Sequence, residues 1–422
     1  MKINLFIALI IGACIIFMYP QPLYTWDSGG YILDAITGNT SGFRPIGYSW
    51  FLSLFHSISS NINAITIFQY LLHALASLFF IYTSKVKLGV KNYLLLGILI
   101  LTEINILYLT TLIMSDSIFV SLTMLYIATL FWIKDNWKWF LVHIIILFIA
   151  LNVRYTAIFY PIVSMIFLWK SPRMVIPLLV AVGFYFFTKN KMEEDIGYKT
   201  FSGFGGWAIA NNAVSVIPYT KSRFTDPNLK YIHSVIEAYP DSVYSKEKII
   251  ATSFMWSPKL PGKQILYSYL NNSKKSYSYG FNYIGDLYKE YGIALIKKHP
   301  IEYIKRFIIP NILQIFKFYE PKYDQFLGKC SVCPDWYGEY TVKERTGFIA
   351  KLNLINILFM LLKLGLLIYG IIYGDRKLII FILLFLAFSV TSHPINNWRY
   401  LIPLYPVIYL LGISKIKFKT KL

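Results

Sequence analysis

Acidic residues are scarce in this chain. It carries 21 Asp and Glu against 41 Lys and Arg, a net charge of +20 over 422 residues. Charged residues make up only 15% of the sequence and hydrophobic ones 56%, with a positive mean hydropathy of +0.52. Such a balance excludes a water-soluble globular domain and places the chain among polytopic membrane proteins. Cysteine is almost absent: Cys14 lies in an apolar run, and Cys330 and Cys333 form the pair CSVC. No matching Cys or His pair follows, so an exported location favours a disulfide or a partner for this pair over zinc. The chain also lacks an internal repeat, a low-complexity linker and a nucleotide-binding glycine loop. The basic excess does not point to nucleic acid, because no basic cluster sits in a soluble domain with a recognition motif. Cytoplasmic loops meeting anionic lipid account for much of it.

What the chain has in abundance is long apolar runs. The fold class they predict is all-α and polytopic, with about ten membrane-spanning helices: 3–19, 64–84, 92–111, 117–133, 139–153, 155–169, 174–188, 352–373, 377–391 and 400–414. Several are nearer 15 residues than the roughly 20 a straight span needs. Residues 47–58 are apolar but too short to cross, which predicts a juxtamembrane or re-entrant helix buried against protein. Lys2, Lys85, Lys87, Lys91, Lys134, Lys138, Lys170, Arg173, Arg376, Lys377 and the lysines of the tail then fall on one side. The positive-inside rule makes that side the cytoplasm, with both termini in it. The first run lacks a small-x-small cleavage site and reads as a retained span rather than a secretory signal. Three parts follow: 1–188 as an N-terminal transmembrane module with a first outer loop at 20–63, 189–350 as a mainly helical extracytoplasmic domain, and 351–422 as a C-terminal transmembrane module. Within the middle part, 301–318 is amphipathic and expected to lie along the membrane surface.

Against so apolar a background, isolated charges stand out. Asp27 lies in Trp26-Asp27-Ser28-Gly29-Gly30-Tyr31, delivered to the membrane boundary by Pro20 and Pro22. A carboxylate fixed there suits chemistry on a substrate whose tail is in lipid and whose head is outside. Its structural alternative is a cap for a helix beginning at Ser28. Arg44, Arg154 and Arg399 are nearly the only basic residues in the short outer loops. The planar guanidinium fork matches phosphate oxygens, so convergence of the three would make a lipid-phosphate site; the plain alternative is snorkelling to headgroups. His393, six residues before Arg399, is a further phosphate candidate. Asp116 and Asp34 are candidates for a second acid or for oxygen ligands of a divalent cation, though Ser115-Asp116 also suits a helix start. Trp26, Tyr31, Trp207, Asn211 and Asn212 are candidate sugar or acceptor contacts, and the run Tyr277 to Tyr283 offers stacking platforms. Glu103 and Lys363 lie at similar mid-membrane depth, and the cost of isolated charges there predicts that they pair.

At these residues the chain resembles the polyprenyl-phosphate-sugar-dependent glycosyltransferases of the GT-C superfamily, closest to the protein O-mannosyltransferase and aminoarabinose transferase branch. The resemblance rests on the Asp27 loop, Arg44-Pro45-Ile46-Gly47-Tyr48, Ser115-Asp116, Arg154-Tyr155 and the closing Asn397-Trp398-Arg399-Tyr400-Leu401-Ile402-Pro403-Leu404-Tyr405-Pro406. Asp27 is followed by Ser28 where many relatives carry a further acid, and Arg44-Pro45 stands where many have Pro-Pro. The resemblance implies a GT-C-like fold in the cytoplasmic (inner) membrane with its active site facing the periplasm or exterior. It also implies that the first-loop Asp is the catalytic base and that outer arginines hold the donor phosphate. The expected function is an inverting glycosyltransferase that moves a sugar from a polyprenyl-phosphate donor to a hydroxyl of a lipid, glycan or protein acceptor. No cofactor is required and a divalent cation is allowed. The alternatives are an oligosaccharide ligase or polymerase using a diphosphate carrier, and a lipid-linked sugar flippase or transporter, whose polar path only Glu103 and Lys363 would suggest.

Overall fold

Long apolar stretches with few breakers become helices in the computed structural model, which describes residues 1–19, 22–25, 27–59, 61, 63–134, 136–244, 253–315, 353–392 and 398–416. No strand occurs among these described residues, only one isolated bridge between Leu23 and Leu112. Three helices are long and apolar enough to cross a membrane: Asn63–Leu88, Pro172–Ile196 and Leu354–Tyr373. The bent pair Tyr93–Leu101 and Ile104–Thr110 makes a fourth if it is one span. Shorter apolar helices occupy other expected spans, among them Lys2–Met18, Ser115–Leu130 and Trp137–Val153. The expected short helix forms as Gly47–Ile58, with Tyr48, Leu52 and Phe55 buried.

The run expected as one span over 92–111 is broken by 50° between its halves. The cause is Glu103, whose backbone is extended (φ −65, ψ 105) and whose side chain is wholly buried. Its carboxylate accepts from Lys363 Nζ at 3.0 Å, from Asn105 Nδ2 at 2.6 Å and from the Tyr409 hydroxyl. Lys363 also stands 3.5 Å from the centre of the Tyr405 ring. The expected Glu103–Lys363 pair therefore exists, inside a fully bonded polar cluster. It fastens helices Asn353–Tyr373 and Tyr405–Ile413 to the bend between Tyr93–Leu101 and Ile104–Thr110. The last expected span, 400–414, starts as 3-10 turns, and its α-helix begins only at Tyr405. Pro403 and Pro406 each sit in a first turn, where a missing N–H costs nothing.

A second core lies in the polar segment, built from Trp207, Ile236, Leu266, Phe281, Tyr288 and their neighbours. Its centre is the crossing of helices Gly203–Ala213 and Tyr277–Lys298. A Cβ added to Gly206 or Gly285 would collide with backbone of the facing helix, so glycine is what lets the two backbones touch. Ser202 and Ser276 cap the two helices, accepting from Gly205 N and Tyr279 N at 3.2 Å each. The stretch expected to be amphipathic, described to residue 315, is helical from Pro300 to Gln314 with a π-turn at Ile304–Ile308. Pro310 explains the turn, since it has no N–H to close an ordinary bond to Arg306. Ile301, Ile304, Ile312 and Leu313 are exposed on it.

Candidate active site

The loop after the first helix is pinned before it presents any charge. Leu23 N donates to Thr111 O at 2.7 Å and Ile113 N to Leu23 O at 3.0 Å. Ser28 Oγ donates to Ile113 O at 2.8 Å, and the Tyr31 hydroxyl meets Ser115 Oγ at 2.8 Å. The start of helix Ser28–Thr37 is thereby bound to the start of helix Ser115–Leu130. Asp27 precedes the first of these helices, yet its side chain makes no capping bond. The capping alternative does not describe this residue.

Instead, the Asp27 carboxylate bridges two arginines from distant parts of the chain. Oδ1 accepts from Arg44 Nη2 at 2.5 Å and Oδ2 from Arg399 Nη2 at 2.9 Å. All three side chains are about a quarter exposed, with values of 22% and 24%, so the group is reachable. Burial alone would raise the Asp27 pKa, but Arg399 and Arg44 outweigh it and hold the carboxyl well below the usual range. Burial disfavours the charged form of Arg399, yet Asp27 and Tyr400 raise its pKa well above the ordinary value. Arg44 lies 4.9 Å from the centre of the Tyr31 ring.

Beside this bridge a second ion pair joins Arg154 Nη1 to Asp116 Oδ1. Arg154 and Arg399 both lie near the Tyr400 ring, at 5.6 and 5.4 Å. The two arginines line one narrow crevice with Phe119, Phe385 and Tyr400. Arg44 borders a different shallow crevice, lined also by Tyr155, Phe184, Phe187 and Lys191. The three arginines singled out in the sequence are thus brought together around two carboxylates, with a cleft on either side. A phosphate oxygen presented to Arg44 and Arg399 would compete with Asp27 for the same donors, and the released carboxylate would be free to take a proton.

The loop that carries Arg44 is held by carboxylates that are not themselves at the bridge. Asp34 accepts from Ser41 N at 3.1 Å and from Ser41 Oγ at 3.2 Å. Burial pushes its pKa up to about 7, against the lowering effect of those bonds and of Arg44. Asp195 accepts from Thr40 N at 2.7 Å and from Lys191 Nζ at 2.6 Å. Lys191 and Asp195 escaped the sequence reading; the only signal was a basic and an acidic residue four apart at the end of an apolar run.

The other candidates fall elsewhere. Tyr31 is buried at the helix junction. Trp207, Asn211 and Asn212 are fully buried in the polar segment, with Trp207 Nε1 donating to Phe281 O at 2.9 Å. Asn212 Nδ2 reaches Ser392 O at 3.3 Å and so ties this segment to helix Arg376–Ser392. None of these three has surface to offer a ligand. Trp26, His393, Cys330 and Cys333 lie outside the described residues. Among the described residues, no three His, Cys, Asp or Glu side chains gather as a metal site.

Residues 43–188, roughly a third of the chain, match the family of dolichyl-phosphate-mannose-protein mannosyltransferases. The matched stretch includes Arg44, Asp116, Arg154 and Lys191's helix up to residue 188, and the resemblance read from the sequence motifs is shown by it. No curated protein and no solved structure matches the chain significantly.

Proposed function

We propose, for a membrane chain similar to the mannosyltransferases of polyprenyl-phosphate sugars, an inverting glycosyltransferase. It moves a sugar from a polyprenyl-phosphate donor to an acceptor hydroxyl on the extracytoplasmic face, in a ten-span arrangement with both termini cytoplasmic. The observation that carries this reading is the Asp27 carboxylate bridged by Arg44 and Arg399.

The chemistry follows from those positions. The donor phosphate engages Arg44 and Arg399, with Arg154 beside them. It takes over the guanidinium bonds that hold Asp27, and the carboxylate regains basicity. The acceptor oxygen then attacks the anomeric carbon from the face opposite the phosphate, while Asp27 accepts the hydroxyl proton. A new C–O bond forms, the bond to the carrier oxygen breaks, and its electron pair leaves as phosphate charge. Fixed guanidinium groups stabilise that charge most as it develops. One base and one displacement invert the anomeric centre. Asp116 keeps Arg154 oriented and does not itself react.

Glu103 and Lys363, the one hint of a flippase path, are bonded to each other inside a buried cluster, which favours a structural role for the pair. The test is transfer by purified protein from synthetic polyprenyl-phosphate sugars, with diphosphate-linked sugars as the competing donor. Transfer from the monophosphate donor, lost in Asp27→Asn, is expected. Transfer from the diphosphate donor alone would favour the ligase reading.

A further inference from the structure

A lysine buried under aromatic rings is an expensive feature, and the polar segment contains one. Lys263, only 3% exposed, places its ammonium 5.5 Å from the ring centre of Trp207, 5.1 Å from Trp256, 4.9 Å from Tyr277 and 5.4 Å from Phe281. It also donates to the Tyr277 hydroxyl. Burial lowers its pKa to about 8, and the faces of the surrounding rings favour its charged form. The rings form a near-parallel stack with Phe281 in the middle. Trp207 lies 4.8 Å away at 7° and Trp256 6.1 Å away at 15°.

Two members of this stack reach the surface: Trp256 is 46% and Tyr277 39% exposed. Trp256 packs on Phe204 and Phe281, and Tyr277 on Phe43 and Phe281, contacts that restrict both rings and lower the cost of ordering them on binding. The Tyr277 oxygen already accepts from Lys263, which leaves its own O–H available to donate. A flat apolar face beside an oriented hydroxyl donor suits a ligand that is apolar on one face and hydroxylated at its rim. A pyranose ring has that chemistry, whereas a lipid tail would leave the hydroxyl unused.

The shelf also adjoins the reacting groups. Phe43 packs on Phe281 at 4.5 Å and on Tyr277 at 6.1 Å, and the next residue, Arg44, holds Asp27. Consecutive Cα atoms are about 3.8 Å apart, so one short loop ties the shelf to the base. We propose that the Trp256–Tyr277 surface above Lys263 is the acceptor subsite and takes a glycan by stacking a pyranose ring. This rests on the transferase reading above and narrows its acceptor to carbohydrate.

The test uses the full-length protein in nanodiscs, with cellohexaose, chitohexaose and mannohexaose as soluble probes followed by saturation-transfer NMR. At least one hexaose should bind. Trp256→Ala and Tyr277→Ala should each weaken it by about tenfold, the scale of one lost ring contact. Tyr277→Phe keeps the ring and should lose a smaller factor. Polyprenyl phosphate binding, measured on the same samples, should stay within about twofold, which also reports that the variants are folded. Hexaose binding unchanged in both Ala variants, or no hexaose bound by a protein that binds polyprenyl phosphate, overturns the subsite alone. An interfacial lipid anchor would show itself in that second outcome together with a tryptophan fluorescence shift between anionic and zwitterionic nanodiscs that Trp256→Ala abolishes. Hexaose binding at the shelf without polyprenyl phosphate binding would instead remove the transferase reading and leave a carbohydrate site.

Discussion

Asp27 and Arg399 are 372 residues apart in the chain, yet a carboxylate oxygen of one accepts from a guanidinium nitrogen of the other at 2.9 Å. The contact joins the loop after the first helix to the turn before the last. In the proposed reaction, the candidate base competes with the donor phosphate for the same guanidinium groups. Removing the charge of Asp27 should therefore free both arginines for phosphate. In Asp27→Asn, affinity for polyprenyl phosphate is expected to rise by roughly 3- to 10-fold, since charge-assisted bonds exceed neutral ones by about 1 kcal/mol. Titration of the variant and the wild type with polyprenyl phosphate measures this. Weaker binding in the variant would mean that Asp27 assists the donor, through a cation or a shared proton, rather than competing with it.

Arg399→Ala and Arg154→Ala should both weaken donor binding more than acceptor binding, because the two side chains line one cleft. Their effects on stability should differ. Arg154→Ala leaves Asp116, whose side chain is 3% exposed, as a buried unpaired carboxylate, a loss on the order of 3 kcal/mol. The double variant Arg154→Ala/Asp116→Asn should recover much of the thermal midpoint and none of the donor affinity. A donor titration of the single variants that matches wild type would remove both residues from the phosphate site.

Glu103 and Lys363 invite a double-mutant cycle. Glu103→Gln strands a buried ammonium, and Lys363→Met strands a buried carboxylate, so each alone should cost about 3–5 kcal/mol. Glu103→Gln with Lys363→Met should cost clearly less than the two together. Additive losses in thermal unfolding of the solubilised protein would show that the 3.0 Å contact carries no coupling.

Asp34 gives a pH dependence with a definite sign. Its folded pKa, about 7, lies above the ordinary carboxylate value, so between those two values the folded state binds more protons than the unfolded one. Stability therefore falls as pH rises through that window. Asp34→Asn cannot ionise and still accepts from Ser41 N. Its thermal midpoint should match wild type near pH 4 and exceed it at pH 8. Parallel curves for the two proteins from pH 4 to pH 8 would contradict the raised value.

The charges of the site were legible because ionised side chains are costly in a chain this apolar, so each one left at a boundary needs a reason. Asp27, Arg44, Arg154 and Arg399 stand out on that ground, as do Glu103 and Lys363. Which arginine meets which carboxylate is not legible locally, because the partners lie 17 and 372 residues from Asp27. Nor did hydropathy register the break at Glu103, since one acid barely lowers the average of an apolar run. Trp207, Asn211 and Asn212 read as ligand contacts because polar and aromatic residues mix there. Their burial follows from the glycine crossing of two helices, in which Trp207 meets Phe281 74 residues away, and no local pattern announces it. Lys263 was invisible for the same reason: its aromatic neighbours come from three separate helices.

The measurement that reaches furthest into this account is turnover by Asp27→Asn, in a defined donor–acceptor assay with donor affinity recorded on the same preparation. The substitution keeps shape and hydrogen bonding and removes proton acceptance. Turnover is expected to fall by roughly 100-fold or more, the usual scale for a lost acid–base group, while polyprenyl phosphate binds at least as tightly as to wild type. Near-normal turnover in a folded, donor-binding Asp27→Asn protein would contradict the assignment of Asp27 as the base.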